Sequence, residues 1–370
     1  MPNFPRLTPL AAALPSTVPF VGPEAQERTR GAPFRARIGA NESGFGPAPS
    51  VIGAMANAAG DMWKYCDPDN FDLKAALARH LGVAAPNVVI GEGIDGLLGL
   101  AVRLYAGPGD TVVTSLGAYP TFNFHVAGFG ARLVTVPYRD DREDLQGLID
   151  AVKRDAAQIV YLSNPDNPMG TWWEASDVEA FVAAIPETTL ILLDEAYGET
   201  APASARPHVD LSRPNLVRLR TFSKAYGLAG LRCGYAFGDA EVIRGFEKVR
   251  NHYGINRMAQ VAGEAALADQ GYLGHVVARV AAGRERIAGI ARDNGLSPIP
   301  SATNFVTLDC GGDGAFALRV LHETLARDVF IRKPMAPGLD RCIRISVGLD
   351  AELDLFAEEL PKALAAARAG

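Results

Sequence analysis

Between residues 70 and 240, short β-rich runs alternate with helical patterns. The runs lie at 88–90, 111–114, 133–136, 159–162, 190–193 and 217–221, and most are almost wholly Val, Ile and Leu. Such runs read as strands covered on both faces. Strands separated by helices pair through crossovers, which predicts a doubly wound, mostly parallel sheet and an α/β fold. A long helical pattern covers 241–293. From residue 304 onward, strand patterns at 304–308 and 342–346 mix with helices, which predicts a smaller α+β domain. Residues 1–44 are rich in proline and glycine and read as an irregular arm.

Bulk properties remove whole classes of function. A net charge of −6, with no long basic run, argues against a nucleic-acid surface. No apolar stretch approaches membrane-spanning length. The four cysteines form no C-x-x-C pair and read as reduced thiols in a cytoplasm. The six histidines show no metal-ligand spacing, so no metal is expected. The opening segment MPNFPRLTPLAAALPSTVPF is broken by Pro9 and Pro15 and makes a poor secretory leader.

GEGIDG, residues 91–96, is a literal G-x-G-x-x-G between a strand pattern and a helical one. Glycines let a backbone close on a phosphate, and a helix start offers free N–H groups. For a dinucleotide, an acid should end the next strand. Asp110 instead precedes the run TVVT. The loop alone therefore fits any phosphate, or a plain strand–turn–helix corner.

Three later segments narrow the choice: LSNPDNPMG (162–170), LLDEAYG (192–198) and TFSKAYGLAGLRCG (221–234). Singly, each has an ordinary reading: a turn, a helix N-cap acid, a surface lysine. Together they sit at the carboxyl ends of successive expected strands, the rim where open α/β sheets bind ligands. Pyridoxal phosphate is a ligand that would use all of them. Lys224 can bond its aldehyde. Asp194 can keep its ring nitrogen protonated. Asn167 and Tyr197 can donate to its phenolic oxygen. The helix start at Gly93, with the Ile94 and Asp95 N–H groups, joins Thr221, Ser223 and Arg232 as a phosphate cradle. Phe122, in AYPTFNF, is the candidate ring lid.

These segments resemble the fold-type I aminotransferases of class I/II, most closely the histidinol-phosphate aminotransferase-like branch. ANESGFGPAP (40–49) is similar to that branch's N-E-N-P-F-G-P-S segment, and YCDPDNFDLKAALARHLGV (65–83) to its Y-P-D-P segment. SNPDNPMG is similar to its N-P-N-N-P-T-G, while DEAY and TFSKAYGLAGLRCG match almost residue for residue. NFV (304–306) and CIRISVG (342–348) resemble its C-terminal signals. The resemblance implies pyridoxal 5'-phosphate held covalently on Lys224, with Asp194 and Tyr197 beside it in the chemistry. It implies that Arg344 grips a substrate carboxylate, that Arg332 lies near the substrate's distal end, and that Asn41 lies on a segment closing over it. It further implies a homodimer in which Tyr65 reaches the partner's cofactor phosphate. The implied organisation is an arm, 1–44, belonging with the small domain; a large cofactor-binding domain, 45–260; and a small C-terminal domain, 261–370.

The departures touch the substrate more than the cofactor. Gly44 replaces a proline, Met169 replaces a threonine, and Ile94 replaces a serine in the phosphate loop. NHYGINRMAQ (251–260) is not the proline-rich connector of the histidinol-phosphate enzymes. The expected activity is amino transfer between histidinol phosphate or an aromatic amino acid and a 2-oxo acid. A decarboxylase or lyase of the threonine-phosphate decarboxylase type, and a non-catalytic cofactor-binding protein, are the alternatives.

Overall fold

The protein is described by a computed structural model covering residues 5–16 and 22–369. Of the expected arm, residues 1–4 and 17–21 lie outside the described residues.

Seven strands form the central sheet. In spatial order they are Val88–Gly91, Gly234–Gly238, Leu216–Thr221, Leu190–Asp194, Ile159–Ser163, Thr111–Ser115 and Arg132–Val136. All are parallel except Gly234–Gly238, which runs antiparallel to both neighbours. Successive side chains face opposite sides. Val112, Tyr161 and Leu192 join Leu97, Phe122 and Val126 in one core, whereas Val113, Val160 and Ile191 join Leu148, Val152 and Phe181 in another. Helices on both faces thus explain why the runs are continuously apolar. The antiparallel strand escapes the sequence pattern because it is a short GYAFG with glycine at each end. A Cβ on Gly234 would lie 2.8 Å from the Ile94 nitrogen, so the strand passes tightly against the GEGIDG loop.

A second, three-stranded antiparallel sheet has the order Cys342–Ser346, Phe305–Asp309, Ser297–Pro298. The helices Gln270–Asp293, Gly314–Ala326 and Asp350–Ala369 supply much of its core. Ala36 and Ile38 lie in that same core, and Ala36–Arg37 pairs with Val329–Phe330.

Two expectations are corrected. The arm is not irregular throughout: it carries the helices Pro9–Ala13 and Pro23–Arg30, each opened by a proline at the position that needs no N–H donor. The single helical pattern at 241–293 is three helices, Ala240–Phe246, Arg257–Ala268 and Gln270–Asp293. Asn256 and Asp269 cap the later two by accepting from the N–H groups of Ala259 and Tyr272. A division after residue 260 falls inside Arg257–Ala268. Residues on both sides of it, Ala259 and Leu267, pack with Phe222 and Tyr235 of the larger unit.

Candidate active site

Parallel strands place their carboxyl ends on one rim, and a cavity of about 240 Å³ opens there. Its walls include Ile94, Asp95, Asn167, Asp194, Tyr197, Thr221, Ser223, Lys224 and Arg232. The rim therefore gathers most of the residues singled out in the sequence.

The inner end is built for an oxyanion. The helix Gly93–Tyr105 starts without a side-chain cap, leaving its first N–H groups without intrahelical partners. Gly93 has φ +74°, and a Cβ there would sit 2.5 Å from Arg232 Nη2, so the loop closes directly on the guanidinium. Arg232 Nη1 donates to the Ala229 carbonyl at 3.0 Å and reaches Ser223 Oγ at 3.4 Å. The Thr221 hydroxyl lies 2.9 Å from Ser223 Oγ. A helix start, two hydroxyls and a fixed cation suit a phosphate.

In the middle, Lys224 Nζ donates to the Asn41 carbonyl at 3.2 Å. Burial, then the charges of Arg344 and Arg232, push its amine down to about 8. A neutral amine can bond a carbonyl or take up a proton. Asp194 accepts from the Tyr161 hydroxyl at 2.7 Å and the Ala196 N–H at 2.9 Å. Burial pushes its carboxyl up to about 6, so it is chiefly ionised at neutral pH and can face a protonated ring nitrogen. The Tyr197 hydroxyl accepts from Asn41 Nδ2 at 3.0 Å, and burial raises its pKa so that it remains a phenol.

The outer end opens into a second cavity of about 690 Å³ that shares Tyr119 and Asn167 with the first. Arg332, Lys333 and Arg344 line it beside Leu318, Leu321 and Met335. Arg344 Nη1 donates to Asn167 Oδ1 at 2.5 Å. Burial lowers the Arg344 pKa to about 10, helped by Arg332, which leaves it a cation at neutral pH. The two arginines exchange backbone hydrogen bonds of 3.3 and 2.7 Å. Asn41, held at φ +56°, joins the units: Ser346 Oγ accepts from its N–H at 2.9 Å and donates to its Oδ1 at 3.0 Å, and Asn304 Nδ2 donates to its carbonyl at 3.0 Å.

Two expected residues lie elsewhere. Phe122 does not face the cavity. It is fully buried on the helix Pro120–Gly128, with Val126 one turn on, and stacks against Tyr161 at 4.6 Å. Tyr119, just outside that helix, lines the cavity instead. The i, i+4 spacing of Phe122 and Val126 was the available signal that Phe122 belongs to the core. Tyr65 lies outside both cavities, 82% exposed, its ring 5.0 Å from that of Tyr253. Sequence reasoning also missed Tyr161, Ser163 and Glu42, which line the inner cavity. Tyr161 gives no signal, because an inward strand tyrosine reads as core.

The sequence profile of the family described as "Aminotransferase class I and II" matches residues 37–360. Histidinol-phosphate aminotransferase of Roseiflexus castenholzii is 39% identical over 367 residues, spanning 95% of this chain and 97% of its own length. Histidinol-phosphate aminotransferase 1 of Thiobacillus denitrificans is 38% identical over 334 residues, spanning 90% and 86% respectively. The crystal structure of the Sinorhizobium meliloti histidinol-phosphate aminotransferase, in complex with pyridoxal-5'-phosphate, superposes with a TM-score of 0.95 at 57% identity and covers 98% of both chains.

Proposed function

The chain belongs to the class I and II aminotransferases, and from that premise we propose that it moves the amino group of histidinol phosphate to a 2-oxo acid. It is a pyridoxal-phosphate-dependent aminotransferase of the histidinol-phosphate branch. The observation that carries the donor is likeness along the whole chain, at 57% identity, to a histidinol-phosphate enzyme.

The cavity fits the cofactor. Gly93 leaves room where a Cβ would strike Arg232, and the unsatisfied helix N–H groups, Thr221, Ser223 and Arg232 form a donor set for its phosphate. Asp194 suits its ring nitrogen, Asn167 and Tyr197 its phenolic oxygen, Lys224 its aldehyde, and Tyr119 its ring face. When bound, the cofactor supplies an electron sink for the bond to hydrogen at the substrate Cα.

Lys224 does the proton work. Its amine, freed by the incoming donor, is placed to take the proton from the substrate Cα and deliver it to the cofactor carbon that bore the aldehyde, as base and then acid. Arg344 holds the carboxylate of the 2-oxo acid. Arg332, with Lys333 beside it, faces the substrate's distal end. Asn41 closes over both. Exposed Tyr65, beside exposed Met62, Trp63 and Phe71, supports a homodimer in which each Tyr65 serves the partner's site. The four free cysteines support a cytoplasmic setting. Among the described residues no helix is long and apolar enough to cross a membrane.

The test mixes holoenzyme with histidinol phosphate and no 2-oxo acid. The expected result is loss of the lysine-bound cofactor's absorbance, with one ketone formed per site. Conversion of phenylalanine but not histidinol phosphate would move the donor to the aromatic amino acids. Carbon dioxide release from an amino acid, without ketone, would replace transfer by decarboxylation.

A further inference from the structure

An acid stands on the wall of the phosphate end. Asp95 lines the inner cavity and is the third residue of the helix Gly93–Tyr105, whose first N–H groups were assigned above to the cofactor phosphate. An acid at that position ordinarily stabilises a helix, because its carboxylate can reach back and accept from an N–H at the helix start. Here that would harm the site twice. The carboxylate would take up donors that the phosphate needs, and it would set a negative charge beside a phosphate that already carries nearly two. Ile94, where the family pattern has serine, brings no hydroxyl to replace those donors.

The Asp95 side chain has a different partner. His125 Nε2 lies 3.2 Å from its Oδ1. A carboxylate only accepts, so the hydrogen between them sits on Nε2. His125 belongs to the neighbouring helix Pro120–Gly128, which Phe122 and Val126 anchor in the core. Its ring is seated against Gly99. A Cβ on Gly99 would lie 2.7 Å from the ring Cε1 and 2.9 Å from Nδ1, so the glycine leaves the room that the ring occupies. Asp95 and Gly99 are four residues apart and share one helix face, which lets one ring cover both. Packing therefore sets where the ring lies, and the ring sets where the carboxylate points. The carboxylate remains close to the cavity: burial first, and after it the Asp95 charge, raise the pKa of the Tyr119 phenol.

We propose that His125 is a positioning residue of the cofactor site, holding the Asp95 carboxylate off the helix start so that the first N–H groups stay free for the phosphate. It lies outside the cavity wall and acts through Asp95 alone. Gly99 is part of the same device, because any larger residue there would displace the ring. The proposal rests on the phosphate assignment made above.

The test dialyses the full-length enzyme to equilibrium with pyridoxamine 5'-phosphate, which forms no bond to Lys224, and in parallel with pyridoxamine, which lacks the phosphate. H125F should weaken binding of the phosphate form about 10-fold or more, the usual worth of a hydrogen bond to a charged group. Pyridoxamine binding should not change. H125Q, which keeps an N–H donor near the place of Nε2, should bind within about threefold of wild type. G99A should weaken binding in the same direction by pushing the ring aside. In a D95N background neither H125F nor G99A should have an effect, because the carboxylate is gone. That suppression distinguishes positioning from structure, since a merely structural His125 would be missed equally in both backgrounds. Weakening by H125F that persists with D95N, or equal weakening of pyridoxamine, overturns the proposal. If H125F does not fold, G99A decides in the same way: weakening that D95N does not suppress, or no weakening at all, overturns it. Wild-type enzyme that binds the phosphate form no better than pyridoxamine would remove the phosphate assignment and the proposal with it. A wild-type preference for the phosphate form that H125F leaves intact would overturn the proposal alone.

Discussion

The inner end of the cavity takes its residues from adjacent strand ends and one helix start. The outer end takes them from segments as far apart as Asn41 and Ser346, 305 residues distant in the chain. Each inner residue is anchored by its own element: Asp194 ends a strand, and Thr221 ends its neighbour. The outer residues hold one another instead, Asn41 with Ser346 and Asn304, Arg344 with Asn167. The first arrangement gives a rigid seat. The second gives a grip whose parts depend on the two units lying together.

Substitutions can break this contrast. The largest effect is expected at the seat's centre. K224A should lower kcat by about 10⁴-fold or more, since it removes both the attachment point and the proton carrier. Single-turnover measurement with pre-formed substrate–cofactor complex would separate those losses. R344A should raise KM for the 2-oxo acid by about 10²- to 10³-fold, the usual cost of truncating a buried charge partner. Histidinol phosphate carries its phosphate ester on the carbon that takes the carboxylate's place, so its KM should rise as well; an unchanged KM for it would show that Arg344 does not face that anion. G93A should weaken cofactor binding about 10- to 100-fold by combining a strained positive φ with the Arg232 clash. Equilibrium dialysis of the cofactor tests this, and the Arg344 variant should leave that value unchanged. Cofactor capture by apoenzyme should quicken as pH rises from 7 and level off above about 8, because the neutral Lys224 amine is the reacting form. S346A should cost only about fivefold in KM, the worth of one hydrogen bond near 1 kcal/mol.

The same contrast governs what could be read in the sequence. The seat was legible because a parallel sheet converts linear order into spatial adjacency: SNPDNP, DEAY and TFSK become neighbours once their strands pair. Phe122 failed as a lid because a helix, not a strand end, carries it, and one turn separates the cavity from the core. The grip was only indirectly legible. Arg344 and Asn41 came through family resemblance, and nothing in their local sequence says that they meet across Ser346. The strand Gly234–Gly238 stayed hidden too: its glycines serve the neighbouring loop, not the strand.

The pairing of Asn41 with Ser346 also sets an order of events during synthesis. When Asn41 leaves the ribosome, every residue that will hold it is still unmade. The seat can be complete once Arg232, the strand Gly234–Gly238 and the helix Arg257–Ala268 have emerged, but the carbonyl that steadies Lys224 cannot be fixed until the Ser346 strand has arrived. A nascent chain of this protein would therefore be able to collect its cofactor long before it could turn over a substrate, and chains stalled late in translation would be loaded but inert.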